Sequence, residues 1–88
     1  MKIWHSVSDN NKNIENFVIM FDKKVFVITK NRYGAEYMVA LAGNMSSDGE
    51  HVIVGNGIYP LANITNDMKI VDNIPELLKN IINKLKEQ

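Results

Sequence analysis

The chain has 88 residues, of which 45% are hydrophobic and 8% aromatic, and its ten basic residues balance its ten acidic ones. This composition is typical of one small globular domain and not of a disordered segment. Because the sequence contains no cysteine, disulfides, thiolate nucleophiles and cysteine-based zinc sites are excluded. The longest apolar run, residues 17–21, is shorter than a signal peptide or a membrane span requires, so we expect a cytoplasmic protein with no membrane partner.

The first predicted elements are three short strands. In KIWHSV, alternation places Ile3, His5 and Val7 on one face and Trp4 on the other. After the polar loop SDNNKNIEN, the runs FVIMF and VFVIT form a predicted hairpin joined by residues 22–24. Both hairpin strands are apolar at successive positions, which is typical of strands that are covered on both faces. One cover is the predicted C-terminal helix; the other is a closed barrel wall or a second subunit, so a homodimer is predicted as well.

The segment AEYMVALAG, residues 35–43, is ambiguous between helix and strand. Its Ala, Glu, Met and Leu residues favour a helix, and Gly43 is a suitable helix end. The alternation of Tyr37, Val39 and Leu41 with their neighbours favours a strand, which we expect. A further strand is predicted at EHVIV.

The stretch GNGIYPLANIT carries strong turn signals. Asn56 and Gly57 can adopt positive φ, so the backbone can reverse or kink there. We expect the strand to bend at residues 55–57 and extended structure to resume at Ile58 and Tyr59. Pro60 lacks a backbone donor and is expected at an edge or at the end of the pairing. A kinked strand, a proline and a short helical connection, with a last strand in MKIV, resemble the end of a small SH3-like barrel, which is a likeness of fold alone.

The C-terminal segment predicts a helix over residues 74–86, with Asn73 as the N-cap and Pro75 in the first turn. Its apolar residues follow helical spacing and form one stripe: Ile74, Leu77, Leu78, Ile81, Ile82 and Leu85. Together the elements predict one α+β domain over residues 1–88. It is a small, mostly antiparallel β-sheet or an SH3-like, partly closed barrel, with one C-terminal amphipathic helix.

Residue types that support catalysis or cofactor binding are sparse. His5 and His51 are fewer than the three or four ligands that a zinc site needs, and no serine lies in a recognisable nucleophile elbow. The sequence GNG is followed by an extended segment rather than by a helix, so it does not predict phosphate binding. We therefore expect no metal, no cofactor and no enzymatic activity, with a small enzyme as the third-ranked alternative.

Basic and aromatic residues are concentrated in residues 23–37. Residues 23–35 contain four cations and no acid, whereas residues 36–72 contain five acids and one lysine. Arginine and tyrosine are enriched at binding hot spots, and a glycine allows close approach of a partner. An ordinary solvated loop is the alternative interpretation. The predicted partner-binding residues are Lys30, Arg32, Tyr33 and Tyr37.

These features predict a small non-enzymatic protein that binds and modulates another macromolecule, a protein above all, by surface complementarity. Phage-encoded inhibitors and regulators are small domains that act in this way. The alternative is a nucleic-acid-binding small β-barrel that uses residues 23–37. The zero net charge counts against it, because affinity for nucleic acid grows with the number of phosphates neutralised.

Overall fold

The computed structural model describes residues 1–8, 14–31 and 36–87, which form an antiparallel sheet with a helix packed on it. The elements in chain order are β1 (Lys2–Val7), β2 (Ile14–Phe21), β3 (Lys24–Asn31), β4 (Glu36–Met45), β5 (His51–Val54), β6 (Gly57–Pro60), α1 (Leu61–Ile64), β7 (Lys69–Ile70) and α2 (Glu76–Lys86). In space the strands follow the order β6-β5-β4-β3-β2-β1-β7, and the sheet is not closed. The predicted α+β class is confirmed in its open-sheet form.

The two central strands, β2 and β3, send alternate residues into two apolar clusters. Ile19 and Ile28 lie on the face that α2 covers, whereas Val18 and Val25 lie on the opposite face. All four side chains are almost completely buried. The helix-side cluster contains Ile3, Phe17, Ile19, Phe21, Phe26, Ile28, Leu78, Ile82 and Leu85.

The opposite face is covered by the chain itself. Trp4, Val18 and Val25 pack there with Val52 of β5, and the segment after β6 adds further apolar side chains. These partly buried residues include Leu61, Ile64 and Met68. The homodimer was predicted because this face needed a second cover, and that reason no longer applies. The homodimer itself stays a prediction.

Two tight turns determine how the strands are connected. Asp22 and Lys23 both have positive φ, 47° and 62°, and close the β2–β3 hairpin without a glycine. This hairpin was predicted, although Lys24 belongs to the strand rather than to the turn. Residues 55–56 reverse the chain completely, because Val54 pairs with Gly57, and Gly55 has a φ of 58°. Of the reversal and the bend that these turn residues allow, the structure shows the reversal, so the expected bend is wrong. The positive φ falls on Gly55, the first of the two loop residues, as in a type II′ hairpin turn, and not on Asn56 or Gly57.

The helix α2 begins later than predicted. Pro75, in extended conformation, occupies the N-cap position, and no side chain caps the helix, so the prediction of Asn73 as the cap is wrong. Proline restricts the residue before it to extended conformations, which delays the start of the helix. Leu78, Ile82 and Leu85 are buried as the stripe predicted, whereas Leu77 is 61% exposed. Within the described ranges, neither helix has the length and hydrophobicity of a membrane-crossing helix.

Candidate functional site

Two of the four predicted binding residues, Lys30 and Tyr37, lie directly opposite each other on β3 and β4. The ammonium nitrogen of Lys30 is 5.1 Å from the centroid of the Tyr37 ring, which is within the range of a cation–π attraction. The pair therefore belongs to the strands and not to a loop. Arg32 and Tyr33 lie outside the described residues, in the segment that joins these two strands.

Lys30 and Tyr37 continue a row of residues that crosses four strands on the helix side of the sheet. Val7 of β1 pairs with Glu15 of β2, Glu15 pairs with Lys30, and Lys30 pairs with Tyr37. Opposite charges at directly opposed positions stabilise a sheet. The next row of paired residues on the same face is more apolar than this one and consists of His5, Phe17, Ile28 and Val39. The candidate site therefore lies where the helix-covered core meets a charged border.

His5 is a member of this site that the sequence did not predict. Its ring stacks on Phe17, with centroids 4.5 Å apart, and the Tyr37 ring lies on Phe17 as well, at 6.2 Å. The Nε2 atom of His5 is 3.4 Å from a carboxylate oxygen of Glu15, a distance for charge attraction rather than for a well-formed hydrogen bond. The alternation of residues in β1 predicted that His5 shares a face with Ile3. The proximity of His5 to Glu15 could not be predicted in this way, because it depends on the register between β1 and β2.

Two polar atoms of this site are buried and have no hydrogen-bond partner among the described residues. They are Nε2 of His5 and the hydroxyl oxygen of Tyr37. Burying a polar group without a partner costs about 1–3 kcal/mol. This cost applies to the Tyr37 hydroxyl, whereas Nε2 of His5 has the Glu15 carboxylate 3.4 Å away. The ring of Tyr37, in contrast, packs on the helix-side core.

A second polar cluster lies in the turn between β4 and β5. The Ser46 hydroxyl and the Glu50 backbone amide both donate to Oδ1 of Asp48, the latter at 2.8 Å. The other carboxylate oxygen is 2.9 Å from Nδ1 of His51. Chiefly the Ser46 hydrogen bond, then the Glu50 amide and His51, lower the pKa of the Asp48 carboxyl from 3.8 to about 2.

This second cluster has the residue types of a catalytic triad but not its connections. In a triad the serine hydroxyl donates to the histidine, which acts as its base. Here Ser46 donates to Asp48, and His51 binds the same carboxylate, so no base is positioned to remove the serine proton. His51 also donates its backbone N–H to the Ser46 oxygen, at 3.1 Å. The cluster therefore fixes a tight turn.

The basic residues of the predicted segment are separated in the structure. Lys23 and Lys24 lie at one end of β3 and Lys30 at the other, about 20 Å apart for six residues of strand. The helix-covered residues Phe26 and Ile28 lie between them. A continuous basic track for a phosphate backbone is therefore not formed by these three lysines.

The described residues contain no group of three or more potential metal ligands. A cleft of about 480 Å³ does lie beside β7, where His5, Asp67 and Lys69 contribute groups of mixed charge to its lining. Among the predicted binding residues, Lys30 and Tyr37 are the two that the structure places in contact. The role of this contact has to be inferred from its own chemistry, because no protein-family model, no curated protein and no solved structure matches this chain.

Proposed function

We propose that this protein is a small non-enzymatic binding domain that acts in the cytoplasm and modulates a protein partner as an inhibitor or regulator. The partner contacts the end of the β3–β4 hairpin that carries Lys30 and Tyr37. The observation that supports this most is the stacked geometry of the pair, with the ammonium 5.1 Å from the ring centroid. A cation and an aromatic ring held together in advance lose less side-chain entropy on binding than two free side chains do.

The surroundings of the pair favour a protein over a nucleic acid. Glu15 lies directly across from Lys30, and Glu36 begins the next strand, so the local charge is mixed. Val39, on the same face as Tyr37, is 45% exposed and adds apolar contact area. Aromatic and apolar centres with a charged rim are typical of protein interfaces.

The proposal is tested by affinity capture from host lysate with mass spectrometry, comparing the wild type with Lys30→Ala. Lys79→Ala is the matched control, because it removes the same kind of side chain at a half-exposed position on α2, away from the proposed site on the sheet. A protein that the wild type and the control capture, and that Lys30→Ala captures much less, supports the proposal. Equal capture by all three removes Lys30 from the site.

The double variant Arg32→Ala with Tyr33→Ala tests the remainder of the predicted site. Once the partner is known, its loss of affinity is expected to reach about 2 kcal/mol if the two residues are hot spots. The salt dependence then identifies the class of partner. A shallow dependence with faster dissociation indicates a protein, whereas a steep fall in affinity with ionic strength indicates a nucleic acid and contradicts the proposal.

A further inference from the structure

The outer edge of β1 is paired over only part of its length. On one side β2 pairs with all six residues of β1, whereas on the other side β7 pairs with Trp4 and His5 alone. One further backbone hydrogen bond, from the Val71 N–H to the Ile3 carbonyl, extends this contact towards the start of β1. Beyond His5, towards Val7, the outer edge of β1 therefore has no neighbouring strand in the described part of the chain.

The hydrogen bonds of neighbouring residues show where the backbone groups of Val7 point. In an antiparallel ladder, one residue directs its N–H and C=O to one neighbouring strand, and the next residue directs them to the other. Ile3 accepts from Val71 on the β7 side, and the Ser8 N–H donates to Ile14 on the β2 side. Val7 therefore shares the direction of Ile3, towards β7. Neither its N–H nor its C=O has a backbone partner there among the described residues.

A cleft of about 480 Å³ lies where this pairing stops, and Val7, Asp67 and Lys69 contribute to its lining. We call it the β1-edge cleft. Asp67 would be the next partner of Val7 if β7 extended towards its N-terminus, but its φ of 62° turns the chain away. The segment from α1 to Met68 packs on the face opposite α2, so the position beside Val7 stays open.

The unpaired groups of Val7 suit the backbone of another peptide. An extended peptide beside β1 accepts a hydrogen bond from the Val7 N–H and donates one to the Val7 carbonyl, as in the addition of a strand to a sheet edge. Because β7 occupies the next position along the edge, opposite His5, a peptide that runs towards β7 has to end or turn away in the cleft. A peptide end therefore fits without a bend, whereas the middle of a segment does not.

Lys69 carries the uncompensated charge beside the cleft. It lies opposite His5 and makes no ion pair within the described ranges. The two acids nearby have polar neighbours: Glu15 is 3.4 Å from Nε2 of His5, and Asp67 accepts a hydrogen bond from the Asn66 amide nitrogen, 3.4 Å away. The ammonium of Lys69 attracts the α-carboxylate of a C-terminus and repels the α-ammonium of an N-terminus.

From the unpaired edge, the position of β7 and the charge of Lys69, we infer that the β1-edge cleft binds the C-terminal end of an extended peptide. The peptide runs antiparallel to β1, pairs its backbone with Val7 and places its terminal carboxylate on Lys69. The inference does not rest on the proposed function, because Lys30 and Tyr37 lie two and three strands away from β1.

The test compares two short acetylated peptides of threonine and valine, which favour extended structure. One ends in a free carboxylate and its twin ends in an amide, so both offer the same backbone to Val7 and only the first offers a charge to Lys69. NMR titration of the ¹⁵N-labelled full chain is expected to show at least about fivefold tighter binding of the free acid, with shifts of the Val7 and Lys69 amide signals. No shifts at these residues, or equal affinity of the two peptides, overturns the inference.

A third peptide tests the backbone pairing. It keeps the free carboxylate but is methylated on its backbone nitrogens, so it cannot donate to the Val7 carbonyl and cannot approach the edge closely. We expect its binding to be lost. Binding as tight as that of the unmethylated acid would show that the cleft recognises only an anion and would overturn the inference.

Substitutions of the two charged lining residues test the assigned direction. Lys69→Gln is expected to abolish the preference for the free acid, whereas the control Lys79→Gln, at a half-exposed position on α2, leaves it unchanged. Asp67→Asn keeps a residue type that tolerates positive φ and removes the nearby negative charge, so the free acid should bind about twofold tighter or more. Equal effects of the two lysine substitutions, or weaker binding to Asp67→Asn, contradict the inference.

Failure of this inference and failure of the proposed function give different results. If a captured partner depends on Lys30 and none of the peptides shifts the signals of the cleft, the proposed function stands and the inference is overturned. If the free acid binds in the cleft and no partner depends on Lys30, the inference stands and the proposed function fails.

Discussion

Gly43 of β4 lies so close to Ile53 of β5 that a Cβ atom on the glycine would be 2.8 Å from the Ile53 carbonyl oxygen. The same atom would be 2.9 Å from a methyl group of Val52, which is completely buried. The missing side chain thus allows β5 to approach β4 and to bring Val52 into the second core cluster.

We therefore expect Gly43→Ala to lower the free energy of unfolding by about 1–3 kcal/mol, because backbone and core atoms have to move. Gly57→Ala is the control. Its Cβ would be 2.7 Å from the Tyr59 ring, but that ring is half exposed and can rotate away, so we expect a loss below about 1 kcal/mol. Urea unfolding of both variants checks the difference, and equal losses would contradict this explanation.

Two adjacent leucines of α2 are expected to differ strongly in their contribution to stability. Leu78 is completely buried and Leu77 is 61% exposed. Leu78→Ala should therefore cost about 2–4 kcal/mol, and Leu77→Ala no more than about 0.5 kcal/mol. Helix propensity changes equally in the two variants, so the comparison isolates burial. Thermal and urea unfolding with equal shifts for both would show that α2 does not pack as described.

Removing the hydroxyl of Tyr37 should not destabilise the protein. The ring packs on the core, but the hydroxyl oxygen is buried and unpartnered among the described residues. Tyr37→Phe keeps the ring and removes the unsatisfied atom, so the free energy of unfolding should stay constant or rise by up to about 1 kcal/mol. A loss of more than about 1 kcal/mol would indicate that the hydroxyl has a partner in the native protein.

The turn between β4 and β5 should lose its stabilisation in acid. Hydrogen bonds from Ser46 and the Glu50 amide lower the pKa of Asp48 from 3.8 to about 2 in the folded protein. Because the folded pKa is the lower one, the stabilisation is complete above pH 3.8 and is lost as the pH falls through about 2.

The stability difference between wild type and Asp48→Asn should accordingly be constant above pH 4 and shrink towards pH 2. Denaturant unfolding at a series of pH values measures this difference, and carboxyl ¹³C NMR measures the midpoint directly. An Asp48 midpoint near the ordinary 3.8 would show that the Ser46 and Glu50 hydrogen bonds do not favour the ionised form.

Local sequence patterns predicted most of the strands and the helix. Alternation located β1, and spacing located the β2–β3 hairpin, because side-chain period is a local property. The strand interpretation of residues 35–43 is confirmed for residues 36–43, which belong to β4, while residue 35 lies outside the described residues. Pairing with β3 overrides the helix propensity of Ala, Met and Leu there. At residues 55–56 the turn residues allowed a reversal or a kink, and the sequence could not decide between them because both use the same residue types. The pairing of Val54 with Gly57 decides for the reversal.

The candidate site was predictable only in part. Composition indicated Lys30 and Tyr37 individually, but their contact follows from the pairing of β3 with β4. The register beside them contains a bulge, since Ile28 pairs with Val39 while Val27 pairs with Leu41, which leaves Ala40 unpaired. Such an irregularity is not encoded in local alternation, and neither is the proximity of His5 to Glu15.

The position of β1 between β2 and β7 has a consequence for the order of folding. Trp4 pairs with Val18 on one side and with Ile70 on the other. The pairing of β1 with β2 joins residues that are close in sequence, whereas its pairing with β7 joins residues separated by most of the chain. Long loops cost more closure entropy, and sheets rich in distant pairings fold slowly. We expect the three strands β1, β2 and β3 to assemble first, leaving the outer edge of β1 open to other chains until β7 arrives.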